Sequence, residues 1–188
     1  MTLKYAVAVA ALALAASVPV QAADWYVGGS LGASDWKDDS GLATDTRDTG
    51  YKLFVGVGLT PNIALEGGWV DLGKAKFSDS STGMTITGDV KGSGWFGDLV
   101  GILPINPQFS AFAKIGFFYG EAKGTGSVAG VGSASEKDSG TDVKYGLGLS
   151  YAINKSFSIR GEWERYRFNV FDDKGDTDLL SAGVVFTF

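Results

Sequence analysis

The feature that most constrains this chain is an alternation of period two that recurs in eight segments, with glycine and charge sharing the face opposite the apolar one. In "DWYVGGSLGAS", Trp25, Val27, Gly29, Leu31 and Ala33 oppose Tyr26, Gly28, Ser30 and Gly32. In "TGYKLFVGVGLT", Tyr51, Leu53, Val55, Val57 and Leu59 oppose Lys52, Phe54, Gly56 and Gly58. A repeat of two is that of a strand, whose successive side chains point to opposite faces. The same split sets Ile63, Leu65 and Trp69 against Glu66 and Gly68, and Trp95, Leu99 and Leu103 against Phe96, Asp98 and Val100. It continues with Ile115 and Phe117 against Lys114, and with Tyr145, Leu147, Leu149 and Tyr151 against Lys144 and Ser150. Phe157, Ile159 and Trp163 oppose Arg160, Glu162 and Glu164, and the closing "LLSAGVVFTF" sets Leu180, Ala182, Val184, Phe186 and Phe188 against Leu179, Ser181, Gly183, Val185 and Thr187.

An apolar face alone does not separate a soluble sandwich from a membrane barrel, because both alternate. The opposite face decides. Of 28 glycines against 4 prolines, most lie inside the alternations, where ordinary strands avoid them, beside Lys, Glu, Asp and Arg. Small residues next to charges describe a confined interior. Segments of about ten residues carrying Trp25, Trp69, Tyr119, Tyr151 and Trp163 near their ends fit a lipid-facing band with interfacial aromatic girdles. The expected fold is therefore all-β: an eight-stranded antiparallel up-and-down transmembrane β-barrel. A secreted lipocalin-like barrel is the alternative.

The N-terminal "MTLKYAVAVAALALAASVPVQAAD" has Lys4, an apolar run and a small-residue exit, the pattern of a secretory signal peptide. The organisation expected is a signal peptide over residues 1–22 and a barrel over 23–188. The apolar run is shorter than the roughly 20 residues a spanning helix needs. With no cysteine, neither disulfide nor thiolate chemistry is available. A formal charge of -5 and the absence of a basic patch argue against nucleic acid as a partner.

The connections alternate short and long. "TPN", "LPINPQ" and "INKS" are short and hold Pro61, Pro104 and Pro107, where a missing N–H harms no ladder. "DWKDDSGLATDTRD", "GKAKFSDSSTGMTITGD", "AKGTGSVAGVGSASEKDSG" and "NVFDDKGDTD" are long, polar and read as extracellular loops. Their acidic residues, such as Asp38, Asp39, Asp172 and Asp173, are a candidate for divalent cations at a lipopolysaccharide surface, and are read in preference as solvated loop. No metal or cofactor is expected.

The inward face carries Lys52, Lys114, Lys144 and Arg160 against Glu66, Asp98, Glu162 and Glu164. Counting from the short turns puts Glu66 and Arg160 at one height on the third and seventh strands, facing each other across the lumen. Asp98 and Lys114 are expected to form a second pair, and Glu162 and Glu164 need neighbouring cations. Tyr26, Phe54, Phe96, Phe112, Phe118 and Tyr166 also point inward, and eight strands enclose a space that side chains just fill.

With "YVGGSLG", "LEGGWVDLG", "YGLGLSYAI", "SIRGEWERY" and the closing "AGVVFTF" in place, the mature chain resembles the eight-stranded outer-membrane barrels similar to the OmpA transmembrane domain. The resemblance implies residence in the bacterial outer membrane, contact with its lipid and lipopolysaccharide, and a monomer. It also implies that Phe186 and Phe188 form the signal read by the outer-membrane assembly machinery, with Phe188 at the periplasmic rim and its carboxylate in water. The peptidoglycan-binding domain of full-length OmpA has no counterpart here, so a cell-wall tether is not carried over. Similar barrels place a Glu and an Arg at the positions of Glu66 and Arg160, where the pair blocks the lumen and exchanges partners with a Lys and a second Glu. Val100 and Ser150 stand at those exchange positions, which favours a fixed plug, although Lys114 or Glu162 is a possible substitute.

Three function classes compare unequally. An enzyme is disfavoured, because the chain has no histidine and no lysine spaced to activate a hydroxyl. A wide pore is disfavoured by the inward aromatics. The expected function is a structural, envelope-integrity and surface-interaction role through the extracellular loops, toward a ligand the sequence does not name. A narrow low-conductance pore is the alternative.

Overall fold

In the computed structural model, residues 24–37, 43–45, 47–79, 86–128, 132–170 and 173–188 are described. They form β1 (Trp25–Lys37), β2 (Ala43–Asp45), β3 (Arg47–Thr60), β4 (Ile63–Asp79), β5 (Ile86–Pro104), β6 (Phe109–Val128), β7 (Gly132–Ala152), β8 (Phe157–Val170) and β9 (Asp173–Thr187). Eight of these are long, and each pairs antiparallel with the next. β9 closes on β1 from Tyr26↔Thr187 to Lys37↔Asp176, so the sheet becomes a barrel without an open edge through the membrane. β2 is a short addition on the outer part of β4.

Closure follows from the alternation. From Thr49 to Gly56 in β3, exposed and buried residues alternate strictly, with Tyr51, Leu53 and Val55 outside and Lys52, Phe54 and Gly56 inside. Leu31, Leu53, Trp95, Ile115 and Leu180 each keep more than half of their surface exposed. Such a continuous apolar exterior is matched by lipid and not by water. Aromatic rings edge it at both ends: Phe109 against Tyr151 at 4.7 Å and Phe157 against Phe186 at 5.0 Å near the short turns, Tyr51 against Trp69 at 5.4 Å toward the other end.

Two of the short turns share one construction. In "INPQF" and "INKSF", the Asn side chain (Asn106, Asn154) accepts main-chain N–H bonds from the second and third residues after it, at 2.8–2.9 Å. The Ile and Asn N–H groups of each turn bond the carbonyl of the closing Phe. This is the Asx-turn chemistry that makes asparagine a turn residue.

The outer connections differ from expectation. Polar, Gly/Ser-rich composition reads as loop, yet β6 runs to Val128 and β7 restarts at Gly132, while β4 and β5 pair as far as Asp79↔Ile86. Once the membrane-spanning register is set, each further residue pair adds main-chain hydrogen bonds at little loop-closure cost, so the ladder outruns the apolar pattern. Asp38, Asp39 and Asp172 lie outside the described residues, as does segment 1–22; Asp173 opens β9.

Candidate functional site in the barrel lumen

The inward positions of six strands meet in the lumen, where all eight charged residues named from the sequence are buried. Lys52, Lys144 and Glu164 have no exposed surface, and Arg160, the least enclosed, keeps 8%. They form one chain of alternating sign. Arg160 Nη1 donates to Glu66 Oε1 at 2.6 Å, and Lys114 Nζ lies 2.7 Å from both Glu66 Oε2 and Glu162 Oε2. Lys52 Nζ joins Glu162 Oε1 at 2.5 Å to Glu164 Oε2 at 2.6 Å. Lys144 Nζ then joins Glu164 Oε1 at 2.8 Å to Asp98 Oδ2 at 2.6 Å.

Each internal member thus has two partners of opposite sign, which is the condition for keeping a charge in a low-dielectric interior. The ends are less complete. Arg160 Nε and Asp98 Oδ1 have no hydrogen-bond partner among the described residues. Two tyrosines add donors: Tyr26 Oη to Glu66 Oε1 at 2.8 Å and Tyr166 Oη to Glu164 Oε2 at 3.2 Å.

The expected Glu66–Arg160 pair is present, and Lys52, Lys114 and Lys144 are the cations that Glu162 and Glu164 require. The expected Asp98–Lys114 pair is not formed. In register, Lys114 stands opposite Val100, one inward step below Asp98, whereas Asp98, Gly116 and Lys144 share a rung across β5, β6 and β7. Gly116 lets the two side chains meet above it, because a Cβ there would collide with Asp98 and with the Gly97 carbonyl. Gly56 plays the same part between Tyr26 and Glu66. The alternation shows the glycines but not this role, whose signal is a glycine one strand over from a long inward side chain, as Gly146 is from Lys114 and Glu164 and Gly148 is from Glu162.

The aromatic residues fill what the charges leave. The Phe54 ring centre lies 5.4 Å from Lys52 Nζ, 5.5 Å from Lys114 Nζ and 5.3 Å from the Arg160 guanidinium. Phe112 stands 4.6 Å from Arg160, and Phe96 4.2 Å from Lys144. Such contacts are attractive through the ring quadrupole. Toward the outer mouth Phe118 packs edge-on to Tyr166 at 5.1 Å, with Leu72 and Leu179 fully buried.

A closed eight-stranded antiparallel barrel with an apolar exterior and a charged, ring-filled lumen is matched in sequence over residues 6–188 by the family described as outer membrane protein beta-barrel domain. The chain belongs to that family. Like the barrels of that family it resides in the bacterial outer membrane. Among solved structures, the outer membrane protein beta-barrel fold of this chain is similar to Ail, the attachment invasion locus protein of Yersinia pestis, at 21% identity and a TM-score of 0.62, covering 88% of this chain and 99% of that one. OprG from Pseudomonas aeruginosa is 14% identical with a TM-score of 0.60, covering 89% and 96%. The Neisserial surface protein A is 11% identical with a TM-score of 0.60, covering 87% and 97%. Ail has also been solved in complex with the heparin analogue sucrose octasulfate. No curated protein sequence matches the chain.

Proposed function

We propose that this small outer-membrane β-barrel is a structural and surface-interaction protein whose lumen is a fixed plug, and not an enzyme or a solute channel. The observation that carries the reading is the unbroken chain from Arg160 to Asp98, with aromatic rings on its flanks. A solute crossing the lumen has to part several buried ion pairs at once. Its partners are the outer-membrane lipid and lipopolysaccharide around the barrel and an extracellular ligand at the outer strand ends. The sulfated ligand of Ail is not carried over, since at such identity the likeness concerns the fold and this chain is acidic, with 21 Asp and Glu against 16 Lys and Arg.

Residues 1–22 serve as the export signal. Phe186 and Phe188, whose rings meet at 5.1 Å at the periplasmic rim, serve as the assembly signal. Phe188 is three-quarters exposed, so Phe188→Asp leaves the unfolding midpoint of the refolded barrel close to wild type and lowers the amount reaching the outer membrane several-fold. Wild-type levels in outer-membrane fractions remove the assembly role.

Planar-bilayer conductance tests the plug. Wild-type protein and Glu66→Gln are both expected to show small conductance, because Arg160 loses a charged partner while Phe54 and Phe112 still fill the lumen beside it. The same substitution lowers thermal stability. A large, stable conductance in Glu66→Gln rejects the plug and supports the narrow pore, a reading that the simultaneous hold of Arg160 and Lys114 on Glu66 makes specific.

A further inference from the structure

The chain of charges in the lumen has two unlike ends. Glu66, Glu162 and Glu164 are each shared by two cations. Negative charge therefore runs short at Arg160, whose one salt-bridge partner among the described residues, Glu66, is also held by Lys114. Positive charge runs short at Asp98, which meets Lys144 alone among them. The negative end is closed by main chain: Asp98 Oδ1 rests against Gly116, where an added Cβ would collide with it. The positive end is bordered by hydroxyl groups.

Ser30 on β1 and Ser181 on β9 point inward and are 7% and 5% exposed. Neither hydroxyl has a hydrogen-bond partner among the described residues, and neither has Arg160 Nε. The three residues stand on adjacent rungs of the wall formed by β8, β9 and β1. Arg160, Gly183 and Ser30 are paired across it on one rung, Glu162, Ser181 and Gly32 on the next. Gly183 carries no side chain to separate Arg160 from Ser30. Ser30 and Ser181 are diagonal neighbours across the β1–β9 pair, a relation that sets residues about 7–8 Å apart and their Cβ atoms somewhat closer. Hydroxyls turned toward each other over that span reach one atom between them at ordinary hydrogen-bond distance. A buried polar group without a partner is costly, so three gathered on two rungs mark a place for a bound species.

Chemistry selects the species. A guanidinium N–H and two hydroxyls are all able to donate, and no free carboxylate oxygen stands among them. Glu162, on the rung of Ser181, has its two oxygens held by Lys52 and Lys114. Three donors beside an incompletely neutralised cation favour an anion over a metal ion, and over water, which leaves the charge deficit at Arg160 as it was. A gap spanned by two serine hydroxyls suits a single atom and not a polyatomic oxyanion. Arg160 is also the least enclosed of the lumen charges and lies close to the "INKS" turn, which gives an ion a way in.

We infer that Ser30 Oγ, Ser181 Oγ and Arg160 Nε bind one halide ion, chloride under ordinary conditions, which completes the charge chain at its positive end. This goes beyond the plug, because it gives the lumen a ligand.

Bromide reports the site directly. Crystals of the mature barrel grown in sodium bromide are expected to show one anomalous peak within hydrogen-bond reach of both hydroxyls and of Arg160 Nε. In detergent micelles at constant ionic strength, replacing gluconate by chloride should raise the thermal-unfolding midpoint along a curve that saturates. Ser30→Ala combined with Ser181→Ala removes two donors to the ion and is expected to move half-saturation to at least about tenfold higher chloride. Ser34→Ala removes a hydroxyl already bonded to the Asp48 and Leu72 carbonyls, so it lowers the midpoint at every chloride concentration and leaves half-saturation in place. If the double variant does not fold, as judged by its gel shift on boiling, the bromide peak in wild type decides. A water molecule in place of that peak makes the hydroxyls a hydration site and overturns the halide. A peak without any saturable chloride effect reduces it to binding at crystal concentration only, and a chloride effect equal in wild type and the double variant puts the ion elsewhere; both overturn it. None of these results bears on the conductance of Glu66→Gln, so the halide site and the plug fail separately.

Discussion

Below the Lys144↔Tyr166 pair, the strands enclose a lumen filled with buried charged side chains and aromatic rings; above it, the strands of the β4–β7 wall continue on main-chain pairing through polar sequence. A second contrast, between the lumen and the outer face of the wall around it, shows in two ion pairs of similar length. Lys144 lies 2.8 Å from Glu164 with both side chains wholly enclosed. Arg165 meets Asp178 at 2.6 and 2.8 Å on the outer surface, where both remain partly open to solvent. Water solvates either member of the outer pair when its partner is lost. Nothing does so for the inner one. Distance alone therefore says little about what a pair contributes.

The largest effect expected from breaking this comparison belongs to Glu164→Leu, which leaves Lys52 and Lys144 with one partner each and Tyr166 with no acceptor. Removing one member of a buried ion network costs about 3–5 kcal/mol, measured as urea unfolding from detergent or vesicles. A loss below about 1 kcal/mol shows that the lumen is wet enough to screen the chain.

A smaller and more local effect is expected at the β3/β4 seam. Gly73 sits at a register shift in β4 with φ of 74°, and a Cβ there meets the Asp48 carboxylate that accepts the Lys74 N–H. Gly73→Val imposes left-handed backbone on a β-branched residue, a cost of about 1–3 kcal/mol. Faster amide exchange should appear near Asp48 and Lys74, with exchange at the lumen-facing strands unchanged. A uniform change across the barrel instead couples the two regions more tightly than their separate support implies.

The smallest effect is expected for Asp178→Asn, at under about 1 kcal/mol, as for solvent-accessible pairs generally. Repeating the measurement in high salt sharpens the contrast: the difference between Asp178→Asn and wild type shrinks, while that for Glu164→Leu persists, because mobile ions screen the surface but not the lumen.

Facing was legible before any coordinates, because a side chain's side of a strand depends on residue parity alone. Lys52, Glu66, Asp98, Lys114, Lys144, Arg160, Glu162 and Glu164 all point inward as the alternation requires, and the turns at "TPN", "LPINPQ" and "INKS" lie where tight connections were expected. Strand ends were harder to read. Apolar alternation stops where lipid stops, but main-chain pairing has no such limit, so Val128 and Gly132 belong to strands that their composition disguises.

Parity and turn chemistry are local, so the sequence by itself determined the eight-stranded barrel, the side of each residue and the balance of four acids and four bases in the lumen. Which acid meets which base was decided only by the tertiary structure. Partner choice depends on the stagger between strands and on reach across the lumen: a shift of one inward step takes Lys114 away from Asp98 to Glu66 and Glu162, and Gly116 opens the rung on which Asp98 finds Lys144. The outer wall is decided in the same way. No local pattern shows that β2 returns to the β4 edge while the β7 edge from Gly132 to Asp138 stays without a strand among the described residues, since strand pairing is settled between segments far apart in the chain.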